Sequence, residues 1–156
     1  MITDVRLLEA LPREESLRLL GSTSLGRVVF TQFALPAIRP VNHIVEGDRI
    51  IIRTHLGAAI DSAVAGTGTV VAYEADMIDP DDHLGWSVIV IGRASRVTDP
   101  GEVARYREIL QPWVSGAMDY VITITADMVD GFRLARGVPP PLTVGTAVGH
   151  HESPAG

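Results

Sequence analysis

Residues 37–54 contain two runs rich in β-branched side chains, and the three residues between them suit a tight turn. The runs cover residues 37–45 and 49–54, with Glu46, Gly47 and Asp48 between them. Valine and isoleucine favour extended strands, and glycine and aspartate accept the backbone angles of a short hairpin turn. The stretch is therefore predicted to be a β-hairpin around which the rest of the chain is arranged.

The second strand of this hairpin ends in polar residues. The apolar residues 50–52 are followed by Arg53 and Thr54, and Gly57 then precedes a run of small residues that indicates a helix. A guanidinium group, a hydroxyl group and the N–H groups of a helix start together suit a phosphate. Two interpretations stay open, a phosphate site and a strand end whose Arg53 and Thr54 are simply solvated.

Elsewhere the chain alternates short strand patterns with turns and has few helical patterns. Strands are predicted at residues 25–31, 69–77, 85–97 with a bend at Gly92, 120–125 and 127–136, and helices at residues 10–20, 58–65 and 101–110. This order indicates a mainly β protein with helices (α+β), a predominantly antiparallel barrel with helical lids. We expect a single domain over residues 1–136 and a proline- and glycine-rich tail over residues 137–156.

Composition removes several classes of function. The net charge is −6, so a surface for nucleic acid or an anionic membrane is not expected. The chain has no cysteine, and all 13 of its basic residues are arginines, which excludes disulfides, thiolate nucleophiles and lysine Schiff bases. Because it also lacks a signal-type start and any apolar run of roughly 18 residues, we expect a soluble, cytoplasmic protein.

Two carboxylates alternate on one predicted strand. Glu74 and Asp76 are two residues apart, so their side chains share one face of the strand. No histidine or third acid is spaced with them, which favours an arginine-paired or solvated face over an acid–base pair or a metal site. No metal site is expected, and the adjacent His150 and His151 are expected to be exposed.

Five short segments match a known family in their order and spacing. They are L-G-R-V-V-F-T at residues 25–31, R-P-V-N-H at 39–43, I-I-I-R-T-H-L-G-A-A at 50–59, V-A-Y-E-A-D at 71–76 and G-W-S-V-I-V-I-G-R-A at 85–94. Over residues 11 to about 136 the chain resembles the FMN-binding split-barrel superfamily of pyridoxamine 5'-phosphate oxidase-like proteins. The resemblance implies a six-stranded antiparallel split β-barrel that binds FMN as a homodimer, with the cofactor at the interface.

The resemblance also implies which residues contact the cofactor. The flavin phosphate would be held by Arg53, Thr54, Gly57, Ala58 and Ala59. The isoalloxazine ring would lie along Arg39, Pro40, Val41 and Asn42, and Trp86 and Ser87 would approach the cofactor across the dimer interface. Many relatives carry a lysine near Ala59 that this chain lacks, so the identity of the cofactor stays open.

The function implied is that of an oxidoreductase in which a hydride passes through flavin N5 to or from an unidentified small molecule. The cofactor supplies this chemistry, and no catalytic triad is required or found. His43 is a candidate for substrate contact, although a histidine at a strand end also caps turns or sits in solvent. Two alternatives on the same fold are a deazaflavin-dependent reductase and a non-catalytic protein that binds flavin or haem.

Overall fold

The computed structural model describes residues 5–54, 68–111, 120–138 and 141–142, which form an antiparallel barrel with two helices. The strands are β1 (Val5–Leu11), β2 (Leu25–Gln32), β3 (Leu35–Glu46), β4 (Arg49–Thr54), β5 (Thr69–Ile78), β6 (Gly85–Arg96) and β7 (Tyr120–Gly137), and the helices are α1 (Arg13–Gly21) and α2 (Pro100–Ile109). The strand order is β1-β7-β4-β3-β2-β5-β6, and β6 pairs again with β7. Strands β2 to β7 therefore close a six-stranded ring, which confirms the predicted α+β class and barrel, and β1 pairs with β7 outside the ring.

The predicted hairpin is present, and its second strand is buried on both faces. β3 ends at Glu46 and β4 begins at Arg49, so Gly47 and Asp48 form a two-residue loop. Ile50, Ile51 and Ile52 are all 0% exposed. An unbroken apolar run is typical of a strand covered on both sides. β4 therefore has the barrel interior on one face and another layer on the other.

These two layers are separate hydrophobic clusters. The interior cluster contains Ile50 and Ile52 with residues from the other ring strands, and Leu19 and Leu20 of α1 pack against it at one end of the barrel. The outer cluster lies beneath α2 and contains Ile51, Val97, Tyr106, Leu110 and Val121. The two helices thus cover different parts of the barrel, one an end and the other a side.

Local sequence explains where the helices begin. Pro12 precedes α1, and Glu14 and Glu15 lie in its first turn, where carboxylates interact favourably with the helix dipole. Asp99 caps α2 by accepting a hydrogen bond from the backbone N–H of Glu102, and Pro100 occupies the first turn. No described helix is long and apolar enough to cross a membrane.

Two predicted boundaries were wrong, and one strand was not predicted. The strands predicted at residues 120–125 and 127–136 are one strand, β7, whose pairing with β6 shifts register between Ile91 and Gly92. A Cβ at Gly92 would overlap the carbonyl of Thr125, so only glycine allows this bulge. The bulge lies where the sequence predicted a bend. Residues 5–11 were given no strand, and α1 begins three residues later than predicted.

Candidate functional site

Residues 39–42 lie on a part of β3 that has a neighbour on one edge only. Residues 35–42 pair with β2, whereas β4 pairs only with residues 43–46. Within the described part of the chain, the second edge of this segment therefore has no partner strand. Main-chain N–H and C=O groups on such an edge can hydrogen-bond the polar rim of a flat ligand.

Of the side chains of this segment, Val41 contacts the barrel interior, Asn42 contacts the end of α2, and Arg39 and Pro40 are exposed. Val41 packs against the interior cluster, and Pro40 is exposed opposite Arg27 of β2. The Asn42 side-chain amide donates a hydrogen bond of 2.6 Å to the carbonyl of Gln111, two residues past α2. Arg39 Nη1 donates to the neighbouring carbonyl of Ile38 at 2.8 Å. Asn42 therefore ties the end of α2 to the open segment of β3.

Arg53 and Thr54 do not lie side by side, although the sequence analysis expected them to form a joint seat for a phosphate. Thr54 is 2% exposed and shares the inner face of β4 with Ile52. Arg53 points outward, where its Nη1 donates hydrogen bonds to the carbonyls of Arg107 (3.1 Å) and Leu110 (3.0 Å) at the end of α2. Successive strand residues point to opposite faces, which is the reason for the separation. Gly57, Ala58 and Ala59 lie outside the described residues.

Trp86 and Ser87 occupy a distant part of the same chain. Trp86 is 9% exposed and belongs to the interior cluster, whereas Ser87 is half-buried on the outer face of β6. Ser87 is opposite Phe132 of β7, and Arg53 is opposite Val121. These two partners are separated by roughly 35 Å of extended β7. One chain therefore does not bring the two groups of predicted site residues together.

His43 is a buried histidine with both ring nitrogens hydrogen-bonded inside the fold. Its Nε2 is 2.8 Å from the carbonyl of Leu20, and the Tyr73 hydroxyl lies 2.5 Å from its Nδ1. Because a carbonyl only accepts, Nε2 carries the proton and Tyr73 donates to Nδ1. Burial lowers the pKa of His43, opposed by the hydrogen bond to Leu20, and thereby favours the neutral ring. This position gives the expected substrate contact no support, and that role stays a prediction.

Gly26 makes room for this buried pair. A Cβ at Gly26 would overlap the ring of Tyr73, so the ring reaches His43 only because residue 26 is glycine. Burial also raises the pKa of Tyr73, which keeps its hydroxyl protonated as the donor. The interaction joins β5, β3 and the end of α1.

Glu74 and Asp76 face an arginine, as the sequence favoured. Arg27 Nη1 lies 3.1 Å from Glu74 Oε2 and 3.8 Å from Asp76 Oδ2. Burial, together with the adjacent Asp76, raises the pKa of Glu74 to about 7, although Arg27 acts in the opposite direction. Among the described residues, no group of three His, Cys, Asp or Glu side chains could hold a metal ion.

Two arginines near Arg53 were given no role in the sequence analysis. Arg107 lies on α2, and Arg96 ends β6, where its guanidinium carbon is 4.0 Å from the centre of the Tyr120 ring. Tyr120 is opposite Thr54 in the pairing of β4 with β7. Pro100, Val103 and Arg107 are spaced so that they lie on one face of a helix. This spacing is the feature of the sequence that could have predicted a shared surface for Arg107.

Comparison with known proteins decides the family. A family model described as pyridoxamine 5'-phosphate oxidase matches residues 12–137. The chain belongs to this family. The matched residues include all six strands of the ring, among them β3 and the Arg53 end of β4, and leave out β1.

Three individual proteins are also similar to this chain. The Mycobacterium tuberculosis protein Rv0080 is 54% identical over 127 residues, which are 80% of this chain and 84% of that protein. A Corynebacterium glutamicum structure described as a pyridoxamine 5'-phosphate oxidase is 32% identical with a TM-score of 0.71, covering 85% of this chain and 96% of its own. An FAD-binding protein from Mycobacterium smegmatis is 28% identical with a TM-score of 0.60, covering 81% and 98%.

Proposed function

We propose that this protein is an FMN-dependent oxidoreductase that works as a homodimer. The observation that carries the proposal is the open edge of β3 at residues 39–42, which offers main-chain groups to a flat ring beside the Arg53 end of β4. Membership of the pyridoxamine 5'-phosphate oxidase family and the similarity to an FAD-binding protein support a flavin at this place. A bound flavin supplies hydride transfer through its N5 atom.

The described residues fit a flavin at its ring edge and its phosphate. Val41 gives the segment an apolar contact with the barrel. The His43 N–H points to the β2 side, so the open edge receives the main-chain groups of Asn42 and Pro40, which are two carbonyls and, because proline has no N–H, the one N–H of Asn42. Arg53 supplies positive charge and is held in place by the end of α2. These groups bind and orient the cofactor. None of them is proposed to transfer a proton.

The homodimer is supported by an apolar row on the outside of the barrel that no described residue covers. Residues opposite each other in an antiparallel sheet point to the same face. One such row crosses five strands through Ile38, Val29, Ala72, Ile91 and Met128. We call this row the bare face; Ile38, Ile91 and Met128 on it are 55%, 37% and 59% exposed.

A second copy of the chain is the proposed occupant of the bare face. Apolar side chains that cross a whole sheet indicate an interaction surface. The charged residues Arg27 and Glu74 form the next row, opposite Pro40 of the proposed ring-binding segment. A partner on the bare face would thus lie next to that segment. A single chain places Trp86 and Ser87 far from Arg53. A second copy would add another Trp86 and Ser87 to the assembly.

Absorption spectroscopy of the purified protein tests the flavin proposal. After incubation with FMN and gel filtration, the protein should keep the two-band visible spectrum of an oxidised flavin. A single band at the violet end of the visible range after purification would indicate a deazaflavin, and a Soret band with weaker bands at longer wavelength would indicate haem. Reduction of the bound flavin by a nicotinamide donor, followed by reoxidation on adding a quinone or nitro compound, would support the oxidoreductase. A flavin that cannot be reduced in this way would favour the non-catalytic alternative.

Substitution of Arg53 tests the phosphate end of the site. Arg53→Ala should lose FMN during gel filtration, because the phosphate loses a charge-assisted hydrogen bond. Arg49→Ala is the matched control, since Arg49 lies at the opposite end of β4. Equal retention of FMN by both variants would remove Arg53 from the site. The predicted cytoplasmic location is tested separately by cell fractionation.

A further inference from the structure

Residues 39–42 offer one main-chain N–H to the free edge of β3. Pro40 has no N–H, so the donor on that edge is the N–H of Asn42. A trans peptide group is planar, and its N–H and C=O point in opposite directions. The carbonyl of Val41 belongs to the same peptide group as the Asn42 N–H. It therefore points back towards β2, and whatever holds this carbonyl also aims the N–H.

The hydroxyl of Tyr73 reaches the Val41 carbonyl from inside the barrel. Tyr73 lies on β5 and is 0% exposed, and its hydroxyl oxygen is 3.4 Å from the carbonyl oxygen of Val41 and 2.5 Å from Nδ1 of His43. The ring passes beneath β2 at Gly26, where a Cβ would overlap it. The side chain of Tyr73 thus crosses its neighbouring strand, β2, and contacts β3, the next strand in the sheet.

His43 fixes the position of this hydroxyl. The Nε2 of His43 donates to the carbonyl of Leu20 at 2.8 Å, and its backbone N–H donates to the carbonyl of Ser24 at 2.8 Å. The rings of His43 and Tyr73 meet edge to face, with their centres 5.1 Å apart. Both side chains are buried, and each of their polar atoms has a hydrogen-bond partner. A buried polar pair that is fully bonded holds one geometry.

This buried pair lies directly behind the proposed ring-binding segment. Val41 and His43 are the two neighbours of Asn42, and the pair holds the carbonyl of the first and the ring of the second. The Asn42 side chain is tied separately to the carbonyl of Gln111. The peptide group that carries the donor is therefore fixed from the barrel interior by Tyr73 and at the end of α2 by Asn42 itself.

We propose that Tyr73, supported by His43, is a positioning residue for the flavin, because its hydroxyl holds the Val41–Asn42 peptide group so that the Asn42 N–H donates to the polar edge of the flavin ring. The inference rests on the proposed function, which puts the ring along residues 39–42. A reduced flavin ring carries more negative charge than an oxidised one, so an N–H aimed at its edge stabilises the reduced form more. Tyr73 thereby raises the reduction potential of the bound flavin without touching it.

The midpoint potential of bound FMN tests the role of Tyr73. It is measured by redox titration of the full chain loaded with FMN, for the wild type and for Tyr73→Phe, which keeps the ring and removes only the hydroxyl. The substitution should lower the affinity for reduced relative to oxidised FMN by about tenfold, which equals a fall of about 30 mV for a two-electron couple. Riboflavin, which has the ring without the phosphate, should lose affinity by the same factor as FMN. Equal loss of affinity for oxidised and reduced FMN would assign Tyr73 to the fold alone and overturn the proposal.

Two further variants separate positioning from packing. Tyr106→Phe also removes one buried tyrosine hydroxyl, but that hydroxyl donates to Glu46 beneath α2, so the variant should lose stability and keep the wild-type potential. His43→Gln keeps an amide oxygen that can accept from Tyr73, so its potential should stay closer to the wild type than that of Tyr73→Phe. Equal potentials in Tyr73→Phe and either of these variants would overturn the positioning role and leave the flavin site intact. A wild-type protein that binds neither FMN nor riboflavin would overturn both proposals.

Discussion

The outside of the barrel has two halves with similar apolar side chains and very different surroundings. Beneath α2, Ile51 and Val121 are 0% and 2% exposed. On the bare face, Ile38 and Met128 keep more than half of their surface in solvent. Both halves belong to one antiparallel sheet, so the strands alone do not explain the difference. The covered half is completed by a helix of the same chain, and we infer that the bare half is completed by a second copy.

The comparison is tested most strongly by removing the largest side chain of the covered half. Tyr106 is 0% exposed, and its hydroxyl donates to Glu46 at 2.8 Å. Tyr106→Ala should lower the free energy of unfolding by about 3–5 kcal/mol, because it leaves a cavity beneath α2. Chemical denaturation measures this loss. Ile109→Ala is the control on the exposed side of the same helix, and a comparable loss there would show that burial by α2 is not what stabilises the covered half.

A substitution on the bare face should weaken association of the two copies without unfolding the chain. Ile91→Glu places a charge at the centre of the apolar row, between Ala72 and Met128. We expect the dimer to dissociate at least about 100-fold more readily, because the carboxylate would be buried without a partner. Sedimentation velocity measures the change.

Ile109→Glu, on the outer side of α2, serves as the matched control and should remain dimeric. Far-ultraviolet circular dichroism should show both variants folded. A wild-type protein that is monomeric at micromolar concentration would contradict the assignment of the bare face.

The sequence predicted which residues form strands better than it predicted what covers them. The apolar run at residues 50–52 correctly indicated β4, but its pattern does not say that the outer layer is α2. β1 was missed because V-R-L-L-E-A-L lacks strict alternation; it is a strand only because β7 extends to Gly137 and pairs with it. Long-range pairing of this kind is absent from any local window of sequence.

The candidate site shows the same division. The order of motifs predicts the family and, through the resemblance, the segment at residues 39–42 and Arg53 as cofactor contacts. Their environment was not predictable, because Arg53 and Thr54 are adjacent in sequence but point to opposite faces of β4. The sequence predicts a substrate contact for His43, which needs an accessible ring, whereas in the fold His43 is buried and bonded to Tyr73, whose ring packs over Gly26. Roles that depend on a second element of the fold are thus the ones that sequence leaves open.

The stability of the fold should depend on pH in opposite ways through two carboxylates, Glu46 on the covered half and Glu74 beside the bare face. On the covered side, hydrogen bonds from Arg105 and Tyr106 lower the pKa of Glu46. Beside the bare face, burial and the neighbouring Asp76 raise the pKa of Glu74 to about 7. Glu46 therefore stabilises the fold above its unfolded-state pKa, and this contribution is lost as the pH falls through its lowered value. For Glu74 the favourable state is the protonated one, so stability is lost as the pH rises from about 4.5 towards 7.

Two amide variants measure these opposite slopes. Glu74→Gln should be more stable than the wild type at pH 8, by on the order of 1 kcal/mol, and the difference should vanish near pH 4. Glu46→Gln should be less stable at pH 8 and approach the wild type in acid. Unfolding in urea at several pH values gives both profiles. Parallel profiles for the two variants would show that the two carboxylates do not have different environments.

The smallest effect is expected at the loop between β2 and β3, which extends beyond the barrel. Phe33 and Ala34 have φ angles of 51° and 59°, values that favour glycine and asparagine. The double variant Phe33→Asn/Ala34→Gly should therefore raise the free energy of unfolding by about 1 kcal/mol, measured by chemical denaturation. Since Phe33 is 91% exposed, no buried contact in the described residues is lost to offset this gain. If the double variant also weakens the dimer, the hairpin tip belongs to the interface, and the bare face extends past the barrel. If dimerisation is unchanged, the interface ends within the five strands of the bare face.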